Sequence, residues 1–148
     1  MRRVRLLRRQ RGQALVEFAL VAVVFIILVI GMIDVGRAVW NYNALAEATR
    51  EGTRYAIVHG SLSTDPSGPG SSHYTAPSTD TKVKGTVQQF ATGLDPSQLT
   101  VQAQWLDGDN KSGSRVKVTS GYSFRPVLNF FGTVSFSMSS SSTMNIAN

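Results

Sequence analysis

The sequence predicts an α+β fold: a long N-terminal helix, membrane-spanning in its first half and amphipathic in its second, packed on a small antiparallel β-sheet. Three observations carry this. Residues 12–33 form a nearly unbroken apolar run behind a block of arginines. Residues 34–58 contain no proline and keep an apolar spacing of three to four, the period of an amphipathic helix. The C-terminal half alternates apolar and polar residues, the period of half-buried strands.

The apolar run carries no charge from Phe18 to Ile33. With its flanks it gives roughly 20 apolar-dominated residues, enough helix to cross a ~30 Å hydrocarbon core. Glu17 is the exception, an ionisable group that costs ~2.5–3.5 kcal/mol at the centre of a span and less near its end. Six arginines (Arg2, Arg3, Arg5, Arg8, Arg9 and Arg11) precede the run, and without them nine basic residues face nine acidic ones. The net charge of +6 is therefore a topological signal. Basic residues on one flank hold that flank in the cytoplasm, so the C-terminal body is exported, and no nucleic-acid partner is implied. A cleaved secretory signal has a shorter apolar region and an A-x-A-like site, which is absent after Ile33, and Arg2-Arg3 lacks the context of a twin-arginine signal. The chain divides into a basic cytoplasmic leader (1–12), a transmembrane helix (13–33), its amphipathic extension (34–59), a Gly/Ser/Pro-rich loop (60–80) and an exported α+β domain (81–148).

In the extension, Val35, Ala38/Val39, Tyr42, Leu45/Ala46, Thr49 and Ala56 form one stripe opposite Asn41, Glu47, Arg50, Glu51 and Arg54. Asp34/Arg37, Glu47/Arg50 and Glu51/Arg54 are spaced to pair along the helix. Gly36 and Gly52 weaken a helix, which points to close packing at both. Trp40 and Tyr42 stand ~33 Å past Phe18 along a helix, where either an interfacial aromatic belt or the domain core claims them. Residues 60–80 read as an exposed loop. Asp80 or Thr81 caps a short helix ending at Ala91 or Thr92, with Val83, Val87, Phe90 and Ala91 on one face and Gly93 as its stop.

Leu99, Val101, Ala103 and Trp105 then alternate as a first strand. Val116, Val118, Ser120, Tyr122 and Phe124 alternate as a second, the two joined in a hairpin. Pro126 ends the second strand, and the apolar residues that follow, 127–132, are expected to tuck under the sheet. A last strand over residues 133–147 turns Val134, Phe136, Met138, Met144 and Ile146 inward, with a serine-rich middle.

The strongest motif is local. Gly12-Gln13-Ala14-Leu15-Val16-Glu17-Phe18, behind a short basic leader, resembles the processing site of type IV prepilins. With the I-D-x-G-R at the outer end of the span and the closing A-x-R-E-G-x-R-Y-A, residues 11–56 resemble the TadE-like family, minor pilins or pseudopilins of tight-adherence pilus systems. Members often carry a proline early in the span, where this chain has Ala22-Val23, implying a straighter helix. The resemblance implies a pilin-like fold, cleavage by a prepilin peptidase between Gly12 and Gln13, and pairing of the freed amine with Glu17 of the same or a neighbouring subunit. Glu17 and Phe18 are the assembly residues on this reading. Asp34, Arg37, Trp40 and Tyr42 mark the membrane interface. The partners are the peptidase, other pilin or pseudopilin subunits, the inner-membrane assembly platform and lipid.

No chemistry competes. The chain has no cysteine, hence no disulfide or thiolate site. His59 and His73 read as solvated surface residues, and no base is placed to activate a serine. The run from Asp107 to Gly113 has acidic residues two apart but Lys111 where a calcium loop needs a third ligand, so it reads as a turn. No enzyme activity and no cofactor are expected. The resemblance implies a structural function, that of a processed minor pilin of an adhesive pilus, single-pass in the bacterial inner membrane. The alternative is a membrane-anchored binding module that never polymerises.

Overall fold

The computed structural model describes residues 4–68, 79–127 and 135–147, with side chains from residue 12 onward. Helix α1 runs unbroken over Val4–Val58, 55 residues, so it already begins within the arginine block. No proline interrupts it, and residues 12–58 alone reach ~70 Å at about 1.5 Å per residue. Helix α2 (Thr81–Phe90) starts where the Asp80 carboxylate accepts hydrogen bonds from the amides of Lys82 and Val83, both at 2.9 Å. A 3-10 turn capped by Asp95 leads into strand β1 (Leu99–Trp105), followed by β2 (Arg115–Phe124) and β3 (Phe136–Asn145). The three strands form one antiparallel sheet in the order β1-β2-β3, with Ala103 opposite Val118 and Val118 opposite Ser142. The α+β class is as the sequence predicts.

The outer half of α1 is the central core element. Its Leu45, Ala48 and Ala56 are buried against Val83 and Val87 of α2 and against the inward face of the sheet, chiefly Val101, Ala103, Trp105, Val116 and Val118. Small residues let these elements close on the helix. The buried hydroxyls of Thr49 and Thr53 donate back to the carbonyls of Leu45 and Thr49 at 2.6 and 2.8 Å, which satisfies them without an outside partner. At Gly52 a Cβ would stand 2.3 Å from Cγ2 of the fully buried Val87, so α2 crosses where α1 has no side chain. The Ala147 amide donates to the Ile57 carbonyl at 3.0 Å and ties the chain's last described residues to the far end of α1.

Several expectations need correction. Of the expected stripe, Leu45, Thr49 and Ala56 are buried while Val35, Val39 and Tyr42 are exposed, because the domain meets α1 along the line of Asp34, Leu45, Ala48, Thr49, Gly52 and Ala56. Gly36 has no neighbour within 4 Å of a built Cβ, so of these two helix glycines Gly52 alone needs its smallness. His59 is half-buried and organised: its ring stacks on Tyr55 at 3.9 Å, and its Nδ1 lies 2.9 Å from the Tyr55 carbonyl. The start of the 60–80 loop is not simply exposed. Ser67 is buried, donating to the carbonyls of Ala56 and His59, and Gly68, at φ +101°, lies against the Trp105 indole. Phe90 lies outside the buried face of α2, and Phe136 is exposed rather than inward. His73, Val134 and most of the 127–132 connection fall outside the described residues, and Val127 itself is exposed.

The two glycines are expected to respond oppositely. Gly52→Val should destabilise by ~1–3 kcal/mol through overpacking, while Gly36→Ala, entering open space in a helix, should stabilise by up to ~1 kcal/mol. Thermal unfolding of the detergent-solubilised chain checks both signs.

Candidate functional site

The sequence-selected residues fall into two groups on α1. Gly12, Gln13, Glu17 and Phe18 lie on its first turns beyond the arginines, all exposed. The Gly12–Gln13 peptide is inside regular helix, and a Cβ on Gly12 would meet nothing within 4 Å. Glu17 makes no ion pair among the described residues. It shares a helix face, at spacings of three and four, with Val21, Val24, Leu28, Gly31, Val35, Val39 and Tyr42. That face stays uncovered even beyond the apolar run, where Val35, Val39 and Tyr42 keep 65, 56 and 49% of their surface.

The second group lies ~25 Å further along, counting 17 residues of helix rise from Glu17. Here the fold joins distant parts of the chain. The buried Asp34 carboxylate accepts from the Val127 amide through both oxygens, at 3.0 and 2.9 Å, and from Arg37 Nη1 at 3.1 Å. The Arg37 guanidinium in turn lies 5.6 Å from the centroid of the Phe124 ring, on the last residue of β2. Asp34 and Arg37 therefore clamp the end of the sheet to the helix just past its apolar half. Trp40 and Tyr42 are exposed outside this clamp, which removes the domain-core reading for both.

Sequence reasoning finds Asp34, Arg37 and their pairing along the helix, but not the partners that each takes from the domain. A backbone amide carries no residue signature, so Val127 is unreadable. Phe124 is legible only as an inward strand residue.

The turn between β1 and β2 uses its carboxylates internally. Asp107 accepts from Arg115 Nη2 at 2.7 Å, from its Nε at 3.1 Å and from its amide at 2.8 Å. These bonds hold the Asp107 pKa down to about 2. Asp109 accepts from the Ser114 hydroxyl and the Lys111 amide, which lower its pKa in turn. Among the described residues no three His, Cys, Asp or Glu side chains gather as a metal site.

Residues 12–54 match the family model TadE, described as TadE-like protein. Within the N-terminal helix, this stretch is similar to the TadE-like family. No curated protein and no solved structure matches the chain. The TadE-like region takes in Glu17, the apolar run, the Asp34–Arg37 clamp and Gly52, and it stops before the sheet. Its first half is long and apolar enough to cross a membrane once.

Asp34→Ala leaves the Val127 amide without its acceptor, at a cost of ~1–3 kcal/mol. Hydrogen exchange should speed up at Val127 and the end of β2 while the amides around Leu45 and Thr49 keep their protection. Because folding lowers the Asp107 pKa, its tie to Arg115 is at full strength above the ordinary carboxylate value of 3.8 and fades as pH falls through about 2. A carboxyl titration followed by NMR should place the Asp107 midpoint near that value, and Arg115→Gln should raise it.

Proposed function

We propose that this chain is a minor pilin or pseudopilin of a tight-adherence, type IV-like pilus. It inserts with its N-terminus in the cytoplasm and its domain exported. A prepilin peptidase cuts between Gly12 and Gln13, and the mature chain joins other pilin subunits at the inner-membrane assembly platform, supporting surface adhesion. Its role is mechanical rather than enzymatic.

The observation that carries this reading is the uncovered face of α1. An acid at one end, a glycine at Gly31 and exposed apolar residues at Val35, Val39 and Tyr42 share a single face that the chain's own domain leaves free. A plain anchor needs apolar residues only where lipid surrounds it. A helix that packs against other helices uses such a face past the lipid, and a glycine in it lets backbones approach closely.

Cleavage supplies the missing charge. Removing the leader takes away six arginines that hold the segment in place and frees an α-amino group on Gln13, four residues before Glu17. An amine and a carboxylate at that separation pair within one helix or between neighbours, and a carboxylate in the first turn is favoured by the helix dipole. The uncut chain offers Glu17 no such partner among the described residues. The Gly12–Gln13 bond must leave its helical conformation to reach a peptidase's catalytic groups, and the low helix propensity of glycine eases that local opening.

Mass measurement of the mature protein tests the reading. It should begin at Gln13, and Gly12→Leu should leave the leader attached. Glu17→Ala should be cleaved normally yet fail to enter sheared pilus fractions, and Glu17→Gln, which cannot neutralise the amine, should fail likewise. A native chain that retains residues 1–12 would instead favour a static anchor carrying a binding domain.

A further inference from the structure

The exposed surface at the clamped end of the domain is apolar where the sequence pattern would turn it inward. Phe136 begins β3 two residues before the half-buried Met138, yet keeps 56% of its surface, and Val127 keeps 65%. Both gather at Asp34. The Val127 amide bonds its carboxylate, and Phe136 lines with Val35 and Pro126 a groove of about 170 Å³ that Asp34 also borders. Residues 13–33 rise ~30 Å as a helix, the thickness of a hydrocarbon core, which puts Asp34 at the outer boundary of the span. Phe136 and Val127 therefore stand beside the point where α1 leaves the membrane.

We propose that this end of the domain is a second membrane contact, with Phe136 and Val127 seated at the headgroup–acyl boundary of the phospholipid leaflet on the exported side. The proposal rests on the reading of residues 13–33 as a membrane span. Continuity selects lipid as the occupant. The patch adjoins the exposed apolar helix surface at Met32, Ile33 and Val35. The one carboxylate between them is already bonded by Arg37 and Val127, so it presents no unpaired charge to the interface. Arg125, exposed between Phe124 and Pro126, supplies a cation where lipid phosphates would lie. Two contacts fix what a single helix leaves free: the domain's tilt and rotation about α1 are set by the bilayer, and the Glu17 face is held at one orientation in its plane.

The chain has no cysteine, so single labels can be placed without a background. Phe136→Cys, Val127→Cys, Val24→Cys and Ser141→Cys are made in the full chain, spin-labelled and reconstituted in nanodiscs of phosphatidylethanolamine and phosphatidylglycerol. Collisions with oxygen and with a water-soluble nickel chelate then report depth. The labels at positions 136 and 127 should favour oxygen several-fold over nickel, as at position 24, while the label at 141, on the exposed middle of β3, should favour nickel. Labels at 136 and 127 as open to nickel as that at 141, with the label at 24 in lipid, would overturn the second contact and leave the anchor standing. A label at 24 open to nickel would bring down the span and this inference with it. Low collision rates with both reagents at 136 and 127 would show a protein partner there and overturn the assignment to lipid.

Discussion

One unbroken helix carries two kinds of surface. The first half of α1 leaves its apolar side chains uncovered, and the second half is the element on which the sheet and α2 close. Because no proline or loop separates the halves, a rotation or translation of the buried half is passed directly to the apolar half. The domain is thus built directly on the continuation of the apolar helix. Under the proposed function, a pairing of Glu17 with a neighbour would set the axial position of the domain as well as that of the helix.

That coupling is only as firm as the joint between head and stem. The packing uses small residues: Ala48, Thr49, Gly52, Thr53 and Ala56 bring α2 and the sheet close to the helix backbone. At the other end of the contact, packing gives way to a polar clamp. Asp34 holds the Val127 amide and Arg37, and Arg37 leans over Phe124. A buried carboxylate with its acceptors filled is directional in a way that apolar contact is not, so it fixes where along α1 the sheet ends. The same residues lie within the TadE-like stretch, which gives the I-D-x-G-R motif a structural reason: it couples the exit of the apolar segment to the domain above it.

The surface chemistry of the domain is quiet by comparison. The carboxylates at the β1–β2 turn are spent on Arg115, Ser114 and Lys111, and Asp65 pairs with Lys82, which lowers the pKa of its carboxyl. These interactions shape loops.

Much of the architecture was decided by periodicity alone. A charge-free run of span length, a three-to-four spacing without proline and three alternating segments dictate a long helix and an antiparallel sheet, since each pattern allows only one geometry to bury its apolar residues. The Asp80 cap, the three helical ion pairs and the inward set of β1 follow from local spacing in the same way. What local spacing could not fix was azimuth and distance. Val35, Val39 and Tyr42 fit an amphipathic stripe as well as Ala48 and Thr53 do, and only the approach of the sheet decides which face is covered. The Asp34–Val127 bond spans 93 residues and ends on a backbone amide, and the fit of Val87 over Gly52 depends on where two helices cross. Such contacts belong to the packed chain, because no residue carries the identity of a partner that only folding brings near.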